Sequence, residues 1–151
     1  MTDTDTKTAF TKEEIEGPLA IGRTYTFSKT VGESDVYLFA GITGDLSPNH
    51  VNDEYMAKTR YGKRIAHGVL SIGFMSTCST MVIDAIGQRP AVSYGYDRVR
   101  FVNPIYIGDT ITVEYRIAER EEARGMTRAE VTVKNQRGEL CSVATHILKL
   151  V

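Results

Sequence analysis

Sixteen consecutive residues, Gly68 through Ile83, carry no formal charge and include Val69, Leu70, Ile72, Phe74, Met75, Met81, Val82 and Ile83. A run of that length is short for a bilayer span, and its apolar character all round predicts a helix buried inside a fold. Gly73, Ser76, Thr77, Ser79 and Thr80 are small and would let a sheet approach the helix closely. Four alternating segments follow, at residues 92–101, 110–120, 127–135 and 140–150, with turn residues at Pro104, Gly125 and Gly138 between them. Consecutive strands with short links predict an antiparallel meander. Upstream, Tyr25, Phe27 and Val31 alternate with polar residues, which predicts a first strand over residues 24–31.

One strand, short helices, a long buried helix and four more strands predict an α+β domain in which a sheet wraps a central helix. At 151 residues the chain is one domain of ordinary size. Residues 1–17 are rich in Thr, Asp, Lys and Glu without an apolar period, and read as a flexible tail ahead of a domain spanning 18–151. Ser34 offers a helix N-cap, with Val36, Phe39 and Ala40 as its apolar stripe and Gly41 and Gly44 as its end. A further short helix is expected from an Asn52 cap, with Asp53 and Glu54 in its first turn.

Eighteen Lys and Arg against nineteen Asp and Glu leave a net charge of -1, which gives no pull toward nucleic acid or an anionic membrane. Cys78 and Cys141 lie among apolar or small neighbours without CxxC spacing, so buried thiols in a reducing cytoplasm are expected. The N-terminus lacks the apolar core of a secretion signal, and no run reaches membrane-spanning length. No metal-ligand cluster or phosphate-cradling glycine loop is visible, so no metal or redox cofactor is expected.

The chemistry centres on Gly44-Asp45-Leu46-Ser47-Pro48-Asn49-His50. Asp45 and His50 are five apart and would face different ways on a regular helix, but Pro48 disfavours helix at Ser47 and favours a turn. A turn can aim both side chains at one bound water, and a carboxylate with an imidazole is an acid/base pair. Gly, Asp, Ser and Pro also make ordinary surface turns, and spacing alone leaves that reading open. Lys58, Arg60, Lys63 and Arg64 form a basic cluster nearby, readable as a solvated loop or as a landing place for the phosphates of an anionic cofactor such as CoA. His67 reads as a cap or edge residue of the long helix, and His146 as an ordinary strand residue.

The run Phe39 to Asn52 resembles the hydratase motif of MaoC-like dehydratases, the (R)-specific enoyl-CoA hydratases. Arg64-Ile65-Ala66-His67-Gly68 and Phe101 to Asp109 resemble two further segments of that family in the same order. This chain has Ser47-Pro48-Asn49 where the family shows Asn-Pro and an apolar residue. The resemblance implies a single hotdog fold, in which subunits pair at least as a homodimer. It also implies catalytic roles for Asp45 and His50, an oxyanion-binding backbone N–H at Gly68, and a serine near the pair at Ser76. His67, Lys63 and Arg64 are the expected substrate-binding residues, and the expected substrate is an acyl-CoA thioester. The implied reaction is reversible addition of water to a trans-2-enoyl-CoA. A hotdog thioesterase is the competing enzyme, yet similar thioesterases carry an acid in the central helix, and Gly68 to Ile83 has none. A non-catalytic acyl-CoA-binding protein would have no use for the pair.

Overall fold

The computed structural model describes residues 9–151. The central helix, α5, runs Leu70–Ala85 and is preceded by α1 (Lys12–Glu16), strand β1 (Thr24–Thr30), α2 (Glu33–Thr43), α3 (Pro48–Val51) and α4 (Asp53–Met56). Strands β2 (Ala91–Phe101), β3 (Thr110–Glu121), β4 (Met126–Lys134) and β5 (Leu140–Leu150) follow, with a 3-10 turn at Glu122–Arg124. All five strands form one antiparallel sheet in the order β1-β3-β4-β5-β2. The sheet curls around α5 in the α+β hotdog arrangement, with α5 packing mainly on β1 and β3.

Alternation sets which face of β3 and of β4 is buried. Ile111, Val113, Tyr115 and Ile117 of β3 turn inward with Ala129, Val131 and Val133 of β4. The buried stripe of α5 is Ser71, Phe74, Met75, Cys78, Ser79 and Val82, at helical spacing. Cys141 of β5 is buried as well, so both thiols lie in the core.

Four expectations are corrected. Residues 102–109 do not fold β2 back onto β3; they carry the chain across the sheet, and β2 pairs with β5. The physical reason lies in the link, which bridges Ile65 through Tyr106 and accepts Ala66 N–H on the Ile105 carbonyl at 2.8 Å. Helix α5 is buried on one face only, because the sheet covers one side and leaves Gly73, Thr80 and Met81 exposed. Helix α2 is capped at Gly32, whose N–H donates to the Asp35 carboxylate at 2.8 Å, so Ser34 lies within the helix; Gly41 is also internal, and left-handed Gly44 (φ 79°) ends it. The expected tail is packed where it is described. Thr11 and Glu14 form a reciprocal capping box, Phe10 is buried, and Arg89 Nη1 donates to both Glu14 oxygens at 2.7 and 2.6 Å. Residues 1–8 of that expected tail lie outside the described residues.

Candidate active site

The end of α2 fixes where Asp45 stands. Left-handed Gly44 turns the chain out of the helix, and Asp45 Oδ1 then accepts the Ser47 N–H at 3.3 Å. Pro48 occupies the first position of α3, where its missing N–H costs nothing, and three residues of helix place His50 on the inner side. The turn expected from Pro48 is thus a two-part device, a side-chain-closed turn followed by one helical turn.

Residues 65–67 run alongside this loop and bind it at three points. Ile65 N–H donates to the Asn49 carbonyl at 3.1 Å, His50 Nδ1–H donates to the Ile65 carbonyl at 2.7 Å, and His67 Nε2–H donates to the Asp45 carbonyl at 3.0 Å. Carbonyl oxygens only accept, so the proton of each imidazole is placed: His50 keeps Nε2 as its free lone pair, and His67 keeps Nδ1. The two rings stack with centroids 3.7 Å apart, and Phe39 closes the other side of His67 at 4.6 Å.

Polar atoms of Asp45, His50 and His67 all lie within 4.8 Å of one another. Burial pulls the His50 pKa below its ordinary 6.5, and the His67 ring adds to this, while the Ile65 carbonyl and Asp45 act the other way. His50 is therefore the neutral proton acceptor of the cluster at neutral pH. Asp45 is open, with its side chain 52% exposed. The same three residues are the one His/Cys/Asp/Glu grouping close enough for a metal ion among the described residues. Their geometry suits it poorly. Metal–imidazole bonds lie in the ring plane, and two rings stacked face to face send their in-plane lone pairs past one another.

Beside His50 a cavity of about 440 Å³ is lined by Arg60, Tyr61, Gly68, Phe101, Asn103 and Ser142, among others. Gly68 lies two residues ahead of α5, and its N–H donates to no protein group among the described residues. The peptide plane explains its aim. The His67 carbonyl of that peptide accepts Leu70 N–H at 3.0 Å, toward the helix, so the Gly68 N–H on the opposite edge points away from it. Ser71 Oγ donates to the Gly68 carbonyl at 2.6 Å and accepts from Ser142 Oγ at 2.9 Å, holding the glycine from its other side.

Asp45, His50, His67 and Gly68 are thus brought together. Ser76 stands about two turns further along α5, beside the Tyr96 phenol, with no hydrogen bond to Asp45 or His50 among the described residues. His67 is 2% exposed and faces the pair, not open space, contrary to its expected contact with substrate. Arg64 is likewise occupied: it donates to Asp53 at 2.7 Å, to Glu33 at 2.5 Å and to the Tyr37 hydroxyl at 2.9 Å, tying α2 to α4. Lys63 lies over the Tyr106 ring at 4.7 Å. Arg60 is the member of the basic cluster that lines the cavity. Phe101, Ser71 and Ser142 were not singled out in sequence. Phe101 opened the third resembling segment and could have been found there, whereas Ser71 and Ser142 gave no signal.

The sequence matches the MaoC like domain family over residues 15–138. Among curated proteins it is 42% identical over 94 residues to an (R)-specific enoyl-CoA hydratase of Rhodospirillum rubrum, covering 60% of each chain. It is 32% identical over 133 residues to a 3-hydroxybutyryl-CoA dehydratase of Methylorubrum extorquens, covering 86% of this chain and 75% of that one. These are names of hydro-lyases. Among solved structures, the (R)-hydratase of Aeromonas caviae aligns with a TM-score of 0.76 at 23% identity, over 87% of this chain and 97% of that one, a likeness of fold. An R-hydratase of Pseudomonas aeruginosa aligns with a TM-score of 0.72 at 26% identity, over 87% and 81%. With the family match running through the loop of Asp45 and His50, the cavity and most of the sheet, the chain belongs to the family of MaoC-like dehydratase domains.

Proposed function

We propose that this protein adds water reversibly to a trans-2-enoyl-CoA, giving the (R)-3-hydroxyacyl-CoA. The observation that carries the reading is a proton-accepting His50 and a Gly68 N–H without a protein partner among the described residues, both lining one cavity, with an open Asp45 carboxylate within 4.8 Å of the His50 ring nitrogen. The thioester oxygen accepts the Gly68 N–H, and the water to be added lies between Asp45 and His50. His50 takes a proton from that water as its oxygen bonds to C3. The double-bond electrons move to the thioester oxygen as an enolate, which the Gly68 N–H and the positive end of α5 stabilise. The enolate collapses as C2 takes a proton from the pair. Hydroxyl and proton both come from one water, so the pair ends as it began, and the chemistry is complete without a metal or redox group. One such donor lowers the barrier by roughly 3 kcal/mol.

In this reading Arg60, which lines the cavity, meets the phosphates of CoA together with Lys63, which lies over the Tyr106 ring, while Arg64 is held by Asp53 and Glu33. Ser76, which the resemblance sets near the pair, stands beside Tyr96 on α5 and takes no proton-transfer step in this reading. A second copy would pair along the free edge of β2, where Val92, Tyr94 and Phe101 are exposed, and cover the open face of α5. Two buried thiols, Cys78 raised by burial to about 11, suit a reducing cytoplasm.

The test is crotonyl-CoA with the purified protein, followed by loss of enoyl-thioester absorbance, by a thiol reagent and by chiral analysis of the product. Consumption of the double bond without thiol release, giving the (R) product, is expected. Release of free CoA would make the protein a thioesterase.

A further inference from the structure

His67 stands at the centre of the site and touches each working part. Its Nε2–H holds the Asp45 carbonyl at 3.0 Å, its ring lies on His50 at 3.7 Å, and its own carbonyl, bound by Leu70 N–H, sets the peptide that carries the Gly68 N–H. Its other nitrogen, Nδ1, is buried without a hydrogen-bond partner among the described residues. A leucine would fill this position without leaving a polar atom unpaired, so packing alone does not account for an imidazole here. A local rule is broken where function gains from it.

We infer that His67 is a positioning residue that holds Asp45, His50 and the Gly68 N–H in one mutual arrangement without itself reaching the substrate. This rests on the hydratase reading for its kinetic consequence but not for its geometry. Asp45 sits on an open loop, and its carbonyl has the His67 ring as its anchor to residues 65–67; released, the carboxylate drifts from the water that His50 must deprotonate. A misplacement of about 1 Å in such a constellation costs about a hundredfold in rate. The groups facing His50 are Asp45 and His67, so removing the imidazole beside it also changes how His50 titrates.

Three variants separate the parts. His67→Gln carries an amide N–H to about the reach of Nε2, His67→Asn stops at about the reach of Nδ1, and His67→Leu carries no donor. The Gln variant is expected to keep most of kcat, while Asn and Leu lose about a hundredfold with KM little changed. In NMR titration of the His50 ring, all three variants lack the neighbouring imidazole and are expected to move its pKa up toward the ordinary value, a readout that a filler of space would not shift. Equal kcat in all three variants, a Gln variant that folds but falls as far as Asn, or an unmoved His50 titration would overturn the assignment. Wild-type protein inert toward every enoyl-CoA would overturn the hydratase reading instead, and the NMR titration would still decide the role of His67.

Discussion

A Cβ atom built on Gly68 would lie 2.8 Å from Cγ of Phe101 and 2.9 Å from its Cδ2. No real side chain tolerates that approach, so the ring and the glycine backbone are in direct contact across the cavity wall. The contact explains why the donor of the proposed oxyanion site sits on a residue without a side chain.

Gly68→Ala is therefore expected to displace either the ring or the N–H. Overpacking of this kind costs about 1–3 kcal/mol, and kcat/KM should fall at least about tenfold. Phe101→Leu in the same chain makes room and should restore part of the loss, read as a coupling in a double-mutant cycle. Additive losses would show that the two residues do not meet.

His50 gives the site its pH dependence. Burial favours its neutral form and holds its pKa below 6.5. The neutral ring is the proton acceptor, so kcat/KM should rise with pH along an acid limb whose apparent midpoint lies below 6.5, then level off. A limb centred above 6.5 would mean that the group is stabilised as the cation.

His146 governs stability instead of activity. It is fully buried, bonded to Ser93 at 2.7 Å and to the Tyr115 hydroxyl at 2.8 Å, and burial lowers its pKa to about 4. Above pH 6.5 the ring is neutral in both folded and unfolded chains and costs nothing. As pH falls from 6.5 toward 4 the unfolded chain takes a proton that the folded one refuses, and stability drops by up to roughly 3 kcal/mol. Urea unfolding across that window should show a shallower loss in His146→Gln than in wild type. Parallel curves would remove His146 as the cause.

The two arginines of the basic cluster should behave oppositely. Arg64 links α2 to α4, so Arg64→Met is expected to lower stability by about 1 kcal/mol and leave KM for the acyl-CoA near wild type. Arg60→Ala is expected to raise that KM about tenfold while sparing an acyl-pantetheine substrate, which lacks the nucleotide phosphates. Equal effects on both substrates would place Arg60 elsewhere than at the phosphates.

What the sequence disclosed was what is local. Asp45, Pro48 and His50 are five positions from end to end, and turn chemistry sufficed to bring them together. Strand alternation marked β1, β3 and β4, which bury alternate residues, whereas β2 has no buried residue and β5 buries consecutive ones, so their faces follow from the fold and not from the pattern. Partners distant in the chain left no such mark. His67 bonds across 22 positions to Asp45, and Arg89 across 75 to Glu14, which turned an apparently featureless acidic tail into a packed helix. The pairing of β2 with β5 depends on how residues 102–109 bridge to Ile65, a tertiary choice that periodicity does not encode. The basic cluster was visible as charge, but which arginine faces the cavity and which is spent on Glu33 and Asp53 follows only from the fold.

The central claim is that Asp45 and His50 act as one acid/base unit on a bound water. Its most direct test is steady-state hydration of crotonyl-CoA by wild type, Asp45→Asn, His50→Ala and the double variant, with thermal unfolding of each. Each single variant should lose at least about a hundredfold in kcat while remaining folded, and the double variant should lose little more than either, as groups acting together do. Single variants that turn over like wild type, or losses that simply multiply in the double variant, would contradict it.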